Sequence, residues 1–433
     1  MRNPTETAEF FIHIKQPNKA KIVLDLLKPY AENLSELNQL GKLYYEIKDF
    51  NNVIKIGQKI ENLVNDIQSK INVRNNIINA YIKLNKPEEA LKYIELNEEF
   101  NKNDYEIQMN KALAFFYLNE KDKGEEILRK ILQECKNQEI INKVKFNLGT
   151  YELRNGNFQQ GLRHFLIDGR KLNIWEEFKY PRNQLWTGEN ASGKTIIVCA
   201  EGGVGDEIIS VRFMQHLINI GINPIWLTNR KDVVNLFNRC GFNAISELKE
   251  LPQDWLWTYS MSIPCYLNLT ENDLWKGPYL ESLNNTPRLP GKKKIGIKTS
   301  GNPYYDQDLH RTIPFNEVID CIPEDYTIYS FHIEEDIEHP RVISLKNKIK
   351  TWDDTLDYVN QMDIIVSSCT SLIHAAGAIG KDSIVIVPIL TYYVWAKPEK
   401  TSKWYGDNLK ILRQIEYDNW NNPLIELRQL LNE

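Results

Sequence analysis

The first half of the chain carries an internal repeat, and a repeat constrains a fold more than any single motif does. Each copy has apolar residues at positions i, i+3 and i+4, then a short polar turn, then the start of a second such run. Four segments follow this pattern: Leu40–Val53, Ile77–Ala90, Lys111–Gly124 and Leu148–Gly161. Their last residues are spaced by 37, 34 and 37 positions. Because one helix pair cannot bury its apolar face alone, the segments predict a stack of helix pairs.

The period resembles that of the tetratricopeptide repeat (TPR), which is about 34 residues long. Small residues stand where the two helices of a pair would cross closely, at Gly41, Ala90, Gly124, Gly149 and Gly161. We assign residues 1–180 to a TPR-like helical repeat domain. Two interpretations of its role stay equally open. Either the concave surface of the domain docks an acceptor protein or glycan, or the repeats only pack on the second half or form a homo-oligomer.

The second half changes to an alternation of strands and helices, which is typical of a parallel sheet with crossover helices. A β-branched strand at Ile196–Ala200 leads through a glycine-rich loop into an amphipathic helix. The pattern restarts at Lys294, after the polar linker Leu283–Lys293. We therefore expect an α + α/β chain with two Rossmann-like units, residues 187–288 and 289–433. The cleft between the carboxyl edges of their strands would bind the ligand.

The charge balance excludes broad electrostatic binding. Lys and Arg number 53 against 58 Asp and Glu, so the net charge is −5, whereas a general nucleic-acid or membrane-surface binder usually has a basic excess. No apolar stretch approaches the length of about 18 residues that a membrane span needs. No basic segment followed by an apolar one opens the chain. We expect a cytoplasmic protein.

Two patterns resemble metal sites. A D-x-D pair at Asp306 and Asp308 could hold a divalent cation against a diphosphate, and His332 and His339 flank the acidic run Glu334–Glu338. We interpret the first as a chance match and the second as a solvated turn. The cysteines form no C-x-x-C pair and support neither zinc nor a disulfide framework; they are Cys135, Cys199, Cys240, Cys265, Cys321 and Cys369. We expect neither a metal nor a cofactor.

The segment Gly188–Thr195, G-E-N-A-S-G-K-T, matches the nucleotide-binding pattern G-x-x-x-x-G-K-[ST]. A working phosphate loop follows a strand and opens a helix, so that its amides point at the phosphate. Here the strand follows the segment instead. We therefore interpret Lys194 as a solvated residue entering a strand, and a P-loop ATPase or kinase is the least favoured function.

The loop Glu201–Glu207 follows a strand and opens a helix. Its glycines Gly203 and Gly205 would let backbone amides approach a phosphate or sugar, and Asp206 would stand at the helix N-terminus. Ordinary helix capping explains the same residues equally well. Both interpretations stay open on local grounds.

A second such segment is Val366–Pro388, which reads as strand, polar turn, small-residue helix and strand. Thr370 and Ser371 can cap the helix while their hydroxyls and amides address a diphosphate. His374 lies one turn into this helix, where a packed helix residue is the more common situation than a ligand contact.

Four motifs in chain order resemble the ADP-heptose:lipopolysaccharide heptosyltransferase-like superfamily, glycosyltransferase family nine, in the variants that carry N-terminal TPRs. They are E-G-G-V-G-D-E-I (Glu201–Ile208), G-I-K-T-S-G-N-P (Gly296–Pro303), H-R-T-I-P (His310–Pro314) and S-S-C-T-S-L-I-H-A-A-G-A-I-G-K (Ser367–Lys381). The resemblance covers nearly all of the chain after about Trp186. It implies a GT-B fold of two Rossmann-like domains.

The resemblance also implies a reaction: transfer of a sugar, with inversion and without a metal, from a nucleotide sugar on the C-terminal unit to an acceptor hydroxyl. Asp206 matches the family's general base, with Glu207 as the neighbouring candidate. Arg311 matches a position that contacts the donor phosphates. Ser300, Thr370, Ser371 and His374 match donor-cleft positions, beside the phosphate-binding glycines Gly203 and Gly205.

One departure from the family concerns Cys369, where many heptosyltransferases carry an aspartate that helps to hold the donor sugar. ADP-heptose as the donor is therefore not implied. Nothing in the local sequence supplies a base that would make Cys369 a nucleophile. The alternative function is a TPR scaffold for protein interaction whose GT-B domain has lost catalysis. Asp206 and Arg311 favour the enzyme, and Cys369 favours the scaffold.

Overall fold

The first part of the chain is a run of helices joined by short turns, as the repeat predicts. The computed structural model describes residues 4–14, 16–168, 180–249, 254–302, 305 and 308–432. The helices are α1 (Pro4–His13), α2 (Pro17–Leu27), α3 (Leu34–Glu46), α4 (Phe50–Leu63), α5 (Ile67–Lys83), α6 (Pro87–Glu98), α7 (Tyr105–Tyr117), α8 (Lys121–Glu134), α9 (Gln138–Arg154) and α10 (Phe158–Leu162).

The turn inside each predicted repeat has the same backbone conformation. Lys48, Asn85, Asn119 and Gly156 adopt φ angles of 60°, 62°, 61° and 81°. This left-handed conformation ends a helix and allows the chain to reverse into the next one. The four residues are spaced by 37, 34 and 37 positions, which is the spacing of the sequence pattern. The predicted segments are therefore copies of one helix–turn–helix unit.

The predicted close crossing of two helices is clearest in the last repeat, formed by α9 and α10. A Cβ atom on Gly149 would lie 2.8 Å from the carbonyl oxygen of Gly161, and one on Gly161 would lie 3.0 Å from the carbonyl oxygen of Gly149. A larger side chain at either position would push the two helices apart.

The chain divides into two compact units, Met1–Val144 and Lys145–Glu433, with the division inside α9. The core of the first unit includes Leu37, Leu40, Tyr44, Ile56, Ile60 and Ile77. The last repeat continues beyond α10 into the helical segment Arg163–Asp168. It belongs to the second unit, because Leu153, Leu162 and Leu166 share one hydrophobic core with residues of the α/β part.

The first sheet has four parallel strands in the order β3-β2-β1-β4. The strands are β1 (Thr195–Cys199), β2 (Asn223–Leu227), β3 (Ala244–Ile245) and β4 (Leu256–Tyr259), and the helices are α11 (Val204–Val211), α12 (Met214–Asn219), α13 (Lys231–Arg239) and α14 (Ile263–Tyr266). Strand β1 is central and fully buried from Ile196 to Cys199, which is why it reads as an unbroken apolar run.

The second sheet has seven strands in the order β10-β11-β9-β8-β5-β6-β7, parallel except for the β10–β11 pair. The strands are β5 (Lys293–Lys298), β6 (Tyr326–Ser330), β7 (Val342–Ser344), β8 (Ile364–Ser368), β9 (Ser383–Val387), β10 (Thr401–Ser402) and β11 (Gly406–Arg413). The helices are α15 (Asp308–Arg311), α16 (Phe315–Ile319), α17 (Trp352–Gln361), α18 (Ser371–Ala378) and α19 (Asn421–Asn432). Helix α19 packs Leu424, Leu427 and Leu431 into the core of this sheet.

The polar linker between the two sheets is held by one carboxylate on α17. Asp357 accepts hydrogen bonds from the backbone nitrogens of Asn284, Asn285 and Thr286, at 2.8, 2.7 and 3.1 Å, and from the Ser282 hydroxyl at 2.7 Å. The linker is thereby fixed to the second sheet's own helix layer.

The fold class is the predicted one: TPR-like helical repeats followed by the two Rossmann-like sheets of a GT-B fold. The segment Gly188–Thr195 leads into β1 and opens no helix. It therefore has the sequence pattern of a phosphate loop but not its structure. Among the described residues, no helix combines the length and the apolar character that crossing a bilayer requires.

Candidate functional site

Each sheet has one point at which the strand order reverses, and parallel α/β sheets bind ligands outside the carboxyl ends of the strands at this point. In the first sheet it lies between β1 and β4, and in the second between β5 and β8. The loop Glu201–Gly203 follows β1, and Cys369–Thr370 follows β8. Both sequence-predicted loops therefore stand at switch points.

The first loop turns at Gly202, whose φ is +69°. A Cβ atom there would collide with the Asp206 carboxylate, so only glycine fits. Asp206 Oδ2 accepts a hydrogen bond from the backbone nitrogen of Gly203 at 2.7 Å, which is the capping interaction expected of an acidic residue in the first helical turn. Helix capping thus occurs, and it holds the carboxylate at the mouth of the loop.

The N-terminal ends of α11 and α18 meet at Gly205. A Cβ atom on Gly205 would lie 3.4 Å from Cα of Ser371 and 3.0 Å from Cδ2 of His374. Because the first amides of a helix carry partial positive charge, two such helix ends side by side favour an anion between them.

Asp206 has a second donor that the sequence did not reveal. The Tyr392 hydroxyl donates a hydrogen bond to Asp206 Oδ1. Burial, and then the nearby Asp206 carboxylate, raise the pKa of Tyr392 well above its usual value, so its hydroxyl stays a donor. Tyr392 lies in an aromatic stretch, T-Y-Y-V-W, that follows β9 and gives no local signal of a contact with residue 206.

Arg311 reaches the same place from α15. Its Nε atom donates to Asp308 Oδ1 at 2.8 Å, and its Nη1 atom donates to the carbonyl oxygen of Cys369, two residues before α18 begins. The guanidinium also lies over the Tyr305 ring, 4.7 Å from the ring centroid. A cation is therefore fixed beside the N-terminal end of α18.

The buried Cys369 thiol is close enough to Arg311 and Asp206 to be affected by both charges. Its pKa is raised to about 11, chiefly by burial and also by Asp206, although Arg311 and a hydrogen bond from Trp395 act to lower it. The Trp395 indole nitrogen lies 3.0 Å from the Cys369 sulfur. A thiol with this pKa is a poor nucleophile at neutral pH, in line with the sequence interpretation.

His374 is a packed residue rather than an open ligand position. Its ring stacks on Trp395 at 5.2 Å, and its Nδ1 atom lies 2.9 Å from the Tyr405 hydroxyl. Burial, with Arg212 and Arg311 nearby, lowers the pKa of His374 to about 3, so the ring is neutral. The Cδ2 edge of the imidazole ring packs against Gly205.

The remaining donor-side residues differ in position. The Thr370 hydroxyl is buried and lies 3.0 Å from the Ser367 hydroxyl, while Ser371 opens α18 and is partly exposed. The Ser300 hydroxyl stands at the carboxyl end of β5 but donates to Glu335 at 3.0 Å, towards β6. The structure brings Thr370 and Ser371 to the meeting helix ends and directs Ser300 to the neighbouring strand.

Glu207 is fully buried and its carboxylate is occupied. It accepts hydrogen bonds from the Trp226 indole and the Thr228 hydroxyl, each at 3.1 Å, and it pairs with Arg230. Burial raises its pKa, and these three partners lower it less. Of the two predicted carboxylates, only Asp206 stands at the meeting helix ends.

The acidic residues of the run Glu334–Glu338 are exposed, as the solvated-turn interpretation predicts, but His332 is not part of that exposed turn. The His332 side chain is buried, and its Nε2 atom accepts a hydrogen bond from the backbone nitrogen of Thr299 at 3.0 Å. Burial lowers the pKa of His332 to about 4. Of the D-x-D pattern, Asp306 lies outside the described residues, and Asp308 holds Arg311. The expectation of a metal-free site stays a prediction.

No protein-family model and no curated protein matches the sequence. Among solved structures, a mutant of the Thermobaculum terrenum O-GlcNAc transferase is similar with a TM-score of 0.32 and 9% identity, over 100% of this chain and 94% of that one. Haemophilus influenzae LpoA is similar with a TM-score of 0.23 and 10% identity, over 99% of this chain and 84% of the other. Both likenesses are weak and carry no argument, and the two Rossmann-like sheets are shown by the strand topology described above.

Proposed function

We propose that the chain is a glycosyltransferase that moves a sugar from a nucleotide-sugar donor to an acceptor hydroxyl. One observation carries the proposal: two helix N-termini, each at the switch point of its own sheet, meet, with a carboxylate at one of them and a guanidinium beside the other. The guanidinium and the helix amides would bind the donor diphosphate, and the carboxylate would accept the proton of the acceptor hydroxyl.

Arg311 and the first amides of α18 would hold the diphosphate. As the bond from the anomeric carbon to the diphosphate oxygen breaks, that oxygen keeps the electron pair and its charge grows. A fixed guanidinium and helix amides stabilise such charge without a metal. Asp308 supports this role because its bond to Nε holds the guanidinium in one orientation.

Asp206 would act as the general base. The acceptor oxygen forms the new bond to the anomeric carbon while its proton passes to the Asp206 carboxylate, and attack opposite the leaving group inverts the configuration. The hydrogen bonds from Gly203 and Tyr392 fix the direction in which the carboxylate points.

The further assignments extend this proposal. The donor class resembles that of the heptosyltransferase-like superfamily, with the sugar open because of Cys369. The TPR-like repeats would dock an acceptor protein or glycan, or a second copy of the chain, and the protein would act in the cytoplasm. The donor class rests on the sequence resemblance, and the docking role rests on the repeat pattern.

Calorimetry with a panel of nucleoside diphosphates and nucleotide sugars tests the proposal. Wild-type protein should bind one of them saturably. Arg311→Ala should weaken that binding about tenfold or more, the loss expected of one charge-assisted hydrogen bond. Arg428→Ala, which removes an exposed arginine on α19, is the matched control.

Asp206→Asn separates binding from chemistry. The variant should bind the same nucleotide sugar within about threefold of wild type and lose transfer by about a hundredfold or more. The inactive-scaffold alternative, favoured by Cys369, predicts that the wild type binds no nucleotide. That outcome would end the enzyme proposal.

A further inference from the structure

Tyr392 belongs to a short segment between β9 and β10 that is packed among aromatic rings. Its neighbour Tyr393 is buried, and the two rings lie 4.6 Å apart, edge to face. Tyr392 itself is partly exposed and turns its hydroxyl to Asp206. The segment thus has one buried anchor and one residue at the candidate site.

The last helical repeat contacts Tyr393, a buried residue of this segment. The Phe165 ring lies 5.6 Å from the Tyr393 ring, and an Arg154 nitrogen lies 3.5 Å from the carbonyl oxygen of Thr391. Leu162 and Leu166 share the hydrophobic core that contains Tyr393 and Trp395. Residues of one repeat therefore touch the segment that carries Tyr392.

We propose that Tyr392 is a positioning residue for the Asp206 carboxylate and that the last helical repeat, through Phe165 and Tyr393, holds Tyr392 in place. The inference deepens the proposed function and rests on it. It gives the repeats a part in assembling the candidate site, besides any part in docking an acceptor.

The geometry supports a positioning role because the two carboxylate oxygens of Asp206 have separate donors. The Gly203 amide holds Oδ2, and the Tyr392 hydroxyl holds Oδ1. A carboxylate held at both oxygens keeps one side-chain rotamer, and correct placement of a base is a large part of its catalytic effect. The amide comes from the same loop, whereas the hydroxyl comes from the other sheet's side of the site.

Tyr392→Phe keeps the ring and removes the donor. With the nucleotide sugar identified by calorimetry, the variant should bind it with unchanged affinity, and kcat should fall about tenfold or more. The acidic limb of the kcat profile should also move to higher pH, because a hydroxyl that donates to a carboxylate favours its charged form. Unchanged kcat and an unchanged pH profile would overturn the proposal.

Phe165→Leu tests the support from the repeat. It removes the ring contact with Tyr393 and should lower kcat in the same direction as Tyr392→Phe, with nucleotide affinity unchanged. Phe242→Leu is the matched control, because this partly buried ring lies outside the repeat and contacts Phe237, at 6.1 Å. Equal effects of the two leucine variants on kcat would contradict a specific path through Tyr393.

A double-mutant cycle decides the contact without any substrate. Tyr392→Phe, Asp206→Asn and the double variant are compared by thermal unfolding. Residues that share a hydrogen bond give non-additive shifts of the melting temperature, and additive shifts would refute the contact. Absence of nucleotide binding by the wild type would overturn the proposed function instead, so the two failures are distinguishable.

Discussion

Gly205 lies against His374, so closely that a Cβ atom on the glycine would approach the imidazole Cδ2 atom to 3.0 Å. This contact joins the first helix of one sheet to the helix that follows β8 of the other. The two helix ends approach this closely because residue 205 has no side chain.

Gly205→Val should therefore destabilise the second unit. The His374 ring is stacked and buried and cannot easily move, and overpacking of this kind costs about 1–3 kcal/mol of unfolding free energy. Urea unfolding followed by circular dichroism measures the loss. Gly203→Ala is the control, because its Cβ would make an ordinary contact of 3.7 Å with Asp206. Equal stability of the two variants would contradict the tight contact.

Stability should fall as the pH falls from 6.5 towards 5. Burial lowers the pKa of His374 to about 3 and that of His332 to about 4, against 6.5 for an exposed histidine. Below pH 6.5 these two histidines become protonated in the unfolded chain but stay neutral in the folded chain. The stabilisation present above pH 6.5 is therefore progressively lost. Each histidine contributes up to about 1.4 kcal/mol per pH unit.

Urea midpoints between pH 7.5 and pH 5 check this dependence. His374→Phe, which keeps a stacking ring, and His332→Gln should each flatten the slope, whereas His13→Gln, at an exposed position on α1, should not. Identical slopes in all four proteins would show that neither buried histidine is held neutral.

Lys194→Ala should leave nucleotide binding and the thermal midpoint unchanged. Lys194 is exposed and enters β1, and the segment before it opens no helix that could direct amides at a phosphate. Calorimetry with ATP and with the nucleoside diphosphate that binds best is the measurement. If Lys194→Ala lost nucleotide binding while Arg311→Ala bound the nucleotide normally, the phosphate-loop interpretation would be supported.

Asp357→Asn should loosen the linker and lower the unfolding free energy by about 1–3 kcal/mol, since four partly buried hydrogen bonds lose a charged acceptor. Burial alone would raise the pKa of Asp357, but its hydrogen bonds lower it below the usual 3.8. The stabilisation is thus present above pH 3.8 and is lost as the pH falls further. Asp336→Asn, in an exposed pair with Lys346, is the control for chemical denaturation and should behave as wild type.

The sequence predicted those parts of the fold that leave a local pattern. The repeat turns and the buried strands β1, β5, β8 and β9 are continuous in the chain, so their periodicity is visible. No local pattern predicts the two-residue strands β3 and β10 or the longer strands β4 and β11. β4 is a short aromatic run, and β11 begins with three polar or glycine residues and alternates exposed with buried positions. Only the neighbours β1 and β9 make these segments strands.

The candidate site divides in the same way. The glycine loop and the Thr370 turn could be found because each is a local strand–turn–helix pattern. The contact of Tyr392 with Asp206 joins residues 186 positions apart, and the burial of Glu207 depends on Trp226, Thr228 and Arg230. Such contacts are made by tertiary packing, and no spacing in the sequence encodes them.

The division of the chain inside α9 limits how the protein can be rebuilt. A foreign repeat array spliced on at residue 180 would replace Leu162 and Leu166, which are buried with Tyr393 and Trp404. A viable chimera would have to change sequence in the middle of a helix, near Val144, and retain everything that follows. The last helical repeat therefore cannot be exchanged separately, because it shares its core with the α/β part of the chain.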